Sequence, residues 1–375
     1  MTPSAEWHRM PGRLLAGALL LATLAACGGT AETTTAPGSS TPPIDARTLP
    51  MYFPTATESW PTVSPTALGW DSVALTAALD WAGTQNSTAV LVTWRGRVVA
   101  ERYWNGWTAT TDSIIASASK SVLATLIGQL QAEGRVTLDA PVSQYLGAGW
   151  SRAPSTESRI TVRHLMQMAS GLNDSLQAVV APGSRFYYNN PAYYQLFKVV
   201  VRATGQDINT ATRTRLLAPI GSACSWRPNI DTGELGYILS CNTRDMARFG
   251  LLALNRGRWS GTRVVSDSTW IDQLWRPGPT DNVSYGMLWW LNGGSSYRLP
   301  GPYLLPTYAG MLIPSAPRDL VAALGKGDKK IYVVPSLELV VVRHGAEADV
   351  SGGNPLASSA FDEQLWQRLK VALRY

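Results

Sequence analysis

Histidine and cysteine are scarce, with three of each in 375 residues. No histidines fall at H-x-x-x-H spacing and no cysteines pair at ligand spacing, so no metal centre is expected, and no motif calls for a cofactor. The string G-x-S-x-G is missing too, which removes the elbow that presents serine to a Ser-His-Asp triad. Without it, His164 and His344 are not expected to serve a triad, and His164 reads as a packed or capping side chain. Charge of one sign never gathers into a block. The net +6 comes from scattered arginines, so nucleic acid is not an expected partner. Lysine is rare: six residues, while arginine supplies the other 26 of 32 basic side chains. No internal repeat is present.

What is present suffices for a large folded body, because 45% of the residues are hydrophobic. At the N-terminus, arginines precede a leucine- and alanine-rich run, too short to cross a bilayer, that ends in small residues before Cys27. That is the pattern of an export signal. Leu24-Ala25-Ala26-Cys27 resembles the bacterial lipoprotein box, which implies removal of residues 1–26 and a diacylated Cys27. A simple signal peptide with an incidental cysteine is the alternative. Residues 27–60, rich in Gly, Thr, Ser and Pro, read as a tether, leaving 61–375 for one domain. The expected location is the extracytoplasmic side of the cell envelope, with the membrane as a partner through the lipid. In an oxidising compartment Cys224 and Cys241 suit a short-loop disulfide, although two thiols fit as well.

Two β-rich runs, 89–94 and 98–103, flank Arg95-Gly96-Arg97 and predict a hairpin. Leu123, Leu126, Ile127 and Leu130 recur at helical spacing and predict a helix that starts after Ser117 and stops at Glu133-Gly134. Further helices are expected up to Gly171, over 193–203, over 243–254 and over 358–373. The stretches YGMLWWL, LVAALGK, KIYVVPS and LELVVVRHG read as strands. Strands towards both ends with helices between them predict an α+β fold: a sheet built from both ends of the body, flanked by helices, with an inserted, mainly helical region.

Ser117 and Lys120 stand three apart, so one helical turn puts both on the same face. A serine hydroxyl needs a base before it acts as a nucleophile. A lysine set among Ala116, Ala118, Val122 and Leu123 loses water and with it proton affinity, which fits it for that task. S-x-x-K also arises by chance, and a serine at a helix start often only caps, so the rarity of lysine here carries the reading. Y-x-N occurs twice in overlapping register, at Tyr187–Asn189 and Tyr188–Asn190. A phenol can relay a proton and an amide can hold a carbonyl; aromatic packing before a helix explains the string equally well. Trp289 and Trp290 suit either a cleft wall or the core.

In order, these strings resemble the serine β-lactamase-related hydrolases: penicillin-binding proteins, class C β-lactamases, family VIII esterases and 6-aminohexanoate-dimer hydrolases. In that family S-x-x-K is followed by P-G…F-x-Y-S-N-x-x-Y, matched here by Pro182-Gly183, Phe186, Tyr188-Asn189-Asn190 and Tyr193. ITVRHLMQMASGL and RDMARFGLLAL are similar to two more family stretches, and the likeness runs from about Ala89 to the C-terminus. The resemblance implies a β-lactamase-like fold, with Ser117 as the acylated nucleophile, Lys120 as its base and Tyr188, selected by its spacing to Tyr193, as proton relay. It further implies that Asn190 orients the substrate, and that the Ser117 N–H and a strand of the third motif form the oxyanion hole. That third motif departs from K-T-G and reads Gly325-Lys326-Gly327-Asp328. Lys326 and Gly327 are expected to bind substrate, Trp289 to line the cleft, and Asp328 replaces a small residue beside the expected oxyanion donor. The implied partner is a small-molecule or peptide-like amide or ester. A β-lactamase or D-alanyl-D-alanine carboxypeptidase, and a non-catalytic envelope binding or sensor protein, are the alternatives.

Overall fold

Arg95 and Gly96 both take positive φ, 45° and 73°, the geometry of a two-residue turn whose twist suits antiparallel strands. In the computed structural model, which describes residues 45–57, 59–229, 236–301, 305–349 and 360–375, this turn joins β1 (Ser87–Trp94) to β2 (Arg97–Tyr103). The other strands of the sheet come from far along the chain: β3 (Trp290–Leu291), β4 (Val321–Gly325), β5 (Lys329–Val334) and β6 (Leu339–Gly345). Their order is β2-β1-β6-β5-β4-β3, and every neighbouring pair is antiparallel. The sheet is therefore closed by the two ends of the body, and the fold is α+β.

Among the described residues, five helices have twelve or more residues: α1 (Ser72–Thr84), α2 (Ser119–Ala132), α3 (Asn190–Thr204), α4 (Thr243–Leu254) and α5 (Ala360–Leu373). The alternation of side chains along a strand assigns the faces. Val340 and Ile331 meet Gly250 of α4, where a Cβ would fall 2.5 Å from Val340 Cγ1. Glycine lets that helix lie directly on the sheet. On the other face, Lys330 and Tyr332 reach α5, donating to the two oxygens of Asp362 at 2.8 and 2.6 Å. Asp328 adds a second carboxylate 3.1 Å from the Lys330 ammonium. Arg343, stacked 4.5 Å from the Phe361 ring, donates to the carbonyl of Asp328 at 2.8 Å. All four charged groups are buried; each is matched by an opposite charge or by carbonyl oxygens, as burial demands.

Three boundaries differ from the expectations. The signal peptide, Cys27 and the first part of the tether lie outside the described residues. The tether's last part packs instead of hanging free: Trp60 Nε1 donates to Gly96 O, Tyr52 N–H donates to Arg95 O, and the Phe53 ring lies against Trp259. Three aromatic side chains anchor a stretch whose Pro and Thr content suggested solvent. The helix expected to reach Gly171 spans only Val162–Met166, because Met168 turns to φ 55°. YGMLWWL forms only a two-residue strand, because Leu288 at φ 60° folds Tyr285 back onto Trp290.

A disulfide joins Cys224 and Cys241 across 17 residues of chain. Loop-closure entropy for that length is worth about 3 kcal/mol. Replacing both cysteines by alanine is expected to lower the unfolding free energy by about that amount, read from urea melts.

Candidate active site

A short turn, Ala116–Ala118, leads into α2, and Ala116 holds φ 48° there. The left-handed region costs an alanine about 1–2 kcal/mol, so neighbours must hold it. Ser119 Oγ donates to Ala116 O at 2.6 Å and accepts from the Leu239 N–H at 2.9 Å. The Ile115 N–H donates back to Leu239 O at 2.9 Å. Strand Tyr237–Cys241 thus clamps the turn on one side. On another side stands Gly325 at the end of β4, where a Cβ would come 2.4 Å from Ile115 O and 3.2 Å from the Ala118 nitrogen. Between these supports Ser117 sits partly exposed at the helix entry, where backbone N–H groups lack intrahelical acceptors.

Lys120 Nζ lies 3.0 Å from Ser117 Oγ in hydrogen-bonding geometry. The lysine is 5% exposed, and none of the ion pairs among the described residues includes it. Burial alone lowers its pKa to about 7: an ammonium stripped of water favours losing its proton. The rings of Tyr193 and Tyr188 stand 4.4 and 5.1 Å from Nζ, a weaker pull towards the ammonium form. The Tyr188 phenol is raised by the same burial, and a hydrogen bond with Ser117 opposes that rise. Its ring stacks on Trp290 and meets Tyr285 edge-on, both at 6.1 Å.

The two overlapping Y-x-N strings have separate duties. Asn189 caps α3: its Oδ1 accepts from the Ala192 N–H at 2.9 Å, and its Nδ2 donates to Leu172 O and Asn173 O. Asn190 keeps a buried Oδ1 with no partner. The Tyr187 N–H donates to Met168 O, and Tyr188 is the one beside Ser117 and Lys120. Trp289, expected on the cleft wall, is instead fully buried against Phe249 and Trp275 at 5.9 and 5.8 Å. The fold-back at Leu288 sends Trp290 towards Tyr188 in its place. Lys326 is exposed on the β4–β5 turn, and Gly327 takes φ 72°. Asp328 is buried with its carboxylate held by Lys330 and by the Ala348 N–H at 2.9 Å, on the face covered by α5. His164 Nδ1 accepts from the Thr161 N–H and completes a capping box. His344 Nε2 lies 3.1 Å from Cys241 O, and burial lowers its pKa to about 4.

Ser119, Tyr285 and the ring of Tyr193 under the lysine were not singled out for the site by sequence reasoning, and Trp290 was named only together with Trp289 as cleft wall or core. A second serine inside S-A-S-K was the only local signal for Ser119. Nothing in a linear string shows which ring of a Trp-Trp pair turns inward.

The match to the beta-lactamase family covers residues 74–343, and the chain belongs to that family of serine hydrolases. Among curated proteins it is 25% identical over 264 residues to the 6-aminohexanoate-dimer hydrolase of Paenarthrobacter ureafaciens, a match covering 57% of this chain and 66% of that protein. Its fold is shared with a Bacteroides dorei protein assigned as a β-lactamase, at TM-score 0.65 and 17% identity over 82% of this chain and all of that one. A Bacillus anthracis protein assigned as a 6-aminohexanoate-dimer hydrolase follows at TM-score 0.61 and 18% identity, covering 84% and 86% of the two chains.

Proposed function

We propose that the protein is an exported serine hydrolase that cleaves an amide or ester through an acyl-enzyme on Ser117. The supporting observation is the 3.0 Å approach of a buried lysine, without an ion pair among the described residues, to a serine hydroxyl at a helix entry. Neutral Lys120 accepts the Ser117 proton as Oγ attacks the substrate carbonyl. Tyr188, protonated at rest, passes its proton to the departing amine or alkoxide and recovers one from the water that attacks the acyl group, while Lys120 returns its proton to Ser117 Oγ as the acid leaves. The N–H of Ser117 and the end of β4 at Gly325-Lys326 bind the developing oxyanion, and the open Oδ1 of Asn190 accepts from a substrate N–H. Lys326, exposed and outside the buried network, offers positive charge to a substrate carboxylate.

The choice among substrates turns on that third motif. Its departure from K-T-G, with Gly327 and Asp328 following Lys326, favours a linear amide or ester over a β-lactam. The 6-aminohexanoate-dimer relative supports the same ranking. For location, the arginine-flanked apolar run and Cys27 support a lipid-anchored protein on the outer side of a membrane.

A fluorophosphonate probe followed by peptide mapping tests the assignment. Label on Ser117, lost in Ser117→Ala, is expected; label elsewhere overturns it. Turnover of nitrocefin, short p-nitrophenyl esters and an aminohexanoate dimer ranks the substrates, and fast nitrocefin hydrolysis would place the protein among the β-lactamases.

A further inference from the structure

Away from Ser117, a groove of about 450 Å³ runs between α3 and the loop 146–150. Trp150, Phe197 and Tyr237 form its apolar walls, and Gln195 lies among its lining residues. The loop side is preset by a buried carboxylate: Glu157 accepts from the N–H groups of Gly149 and Ser151 and from the Ser151 hydroxyl, at 2.8 to 3.0 Å. Such an investment of a buried charge fixes a wall that solvent alone would leave loose.

One feature points to a ligand. At the rim, Lys198 and Arg202 stand four residues apart on α3, both exposed and lining the groove, and none of the ion pairs among the described residues includes them. Val201 beside them is an apolar side chain 39% exposed. Two unneutralised cations over an aromatic slot match an apolar body that ends in a carboxylate. The edge-on pair of Tyr193 and Phe197, 5.4 Å apart, stands between this groove and Lys120.

We infer that the groove is a second, non-catalytic site for an amphiphilic carboxylate, with its apolar part between Trp150, Phe197 and Tyr237 and its carboxylate on Lys198 and Arg202. Titration calorimetry on the full chain, with 4-phenylbutyrate and its uncharged counterpart 4-phenylbutanol, tests this. The acid is expected to bind at least ~10-fold more tightly than the alcohol, a gap of about 1.4 kcal/mol. The double variant Lys198→Ala/Arg202→Ala, changed only at exposed positions, is expected to lose that preference. Trp150→Ala, which removes one apolar wall, weakens the acid several-fold. Ser117→Ala leaves binding unchanged, so the result stands apart from the catalytic assignment. Equal affinity for acid and alcohol, no measurable binding, an unaltered double variant, or loss of binding in Ser117→Ala would each overturn the inference.

Discussion

Lys120→Met is expected to lower kcat/KM for a p-nitrophenyl ester by about three to four orders of magnitude, the scale of losing one member of a concerted catalytic group. The same variant is expected to unfold at higher temperature. Native Lys120 gives up its proton near pH 7, whereas in the unfolded chain it holds the proton to about 10.4. Below pH 7 the folded state carries the whole penalty of that mismatch; between 7 and about 10.4 the penalty fades as the unfolded lysine also deprotonates. Methionine, of similar length and uncharged, removes it. The gain is on the order of a few kcal/mol at neutral pH and shrinks towards zero at pH 10. Under the proposed mechanism, the activity of the unaltered protein follows from the same titration. It should rise with an apparent pKa near 7 as the amine becomes neutral, then stay level well above that, since burial holds the Tyr188 phenol protonated past its ordinary range. A flat rate from pH 5 to 9, or a destabilised Lys120→Met, would sink the assignment of this lysine as base.

Gly325→Val is expected to be the most damaging single change outside the reacting groups. Its Cβ would stand 2.4 Å from the backbone oxygen of Ile115 and 3.1 Å from the Ala116 Cβ, and backbone cannot swing aside as a long side chain can. β4 and the serine turn must separate, which carries the proposed oxyanion donors apart and releases Ala116 from its left-handed conformation. A loss of about 2–4 kcal/mol in stability and at least ~100-fold in kcat, with KM less affected, is the expected outcome. Gly278→Val, where the added Cβ would meet only the Gln167 side chain at an ordinary 3.5 Å and, as at Gly325, φ is not positive, supplies the control.

The sheet was legible because β-branched runs at both ends of the body alternate with turn residues, and α2 and α4 because their apolar residues recur at helical spacing. Ser117, Lys120 and Tyr188 were legible as a set only through the order of their strings; spacing alone left S-x-x-K and Y-x-N with ordinary explanations. What could not be read was direction. Trp289 and Trp290 are chemically identical and adjacent, and one left-handed residue, Leu288, decides which of them meets Tyr188. Asp328 looked like an intruder in the oxyanion motif for the same reason: whether a side chain on a tight turn points to the cleft or through the sheet depends on partners, Lys330 and the Ala348 N–H, that lie near and far in sequence. The aromatic anchors at 52, 53 and 60 were obscured by the Pro- and Thr-rich composition around them.

The clasp of Lys330 and Tyr332 on Asp362 gives the last helix a duty beyond covering the sheet. A chain cut before Ala360 would strand an ammonium, a phenol and the Asp328 carboxylate under solvent that had never reached them, and the turn bearing Lys326 would lose its ballast. Shortened versions of this protein should therefore keep α5 intact, since trimming that far edge would be felt at the serine on the opposite side of the strands.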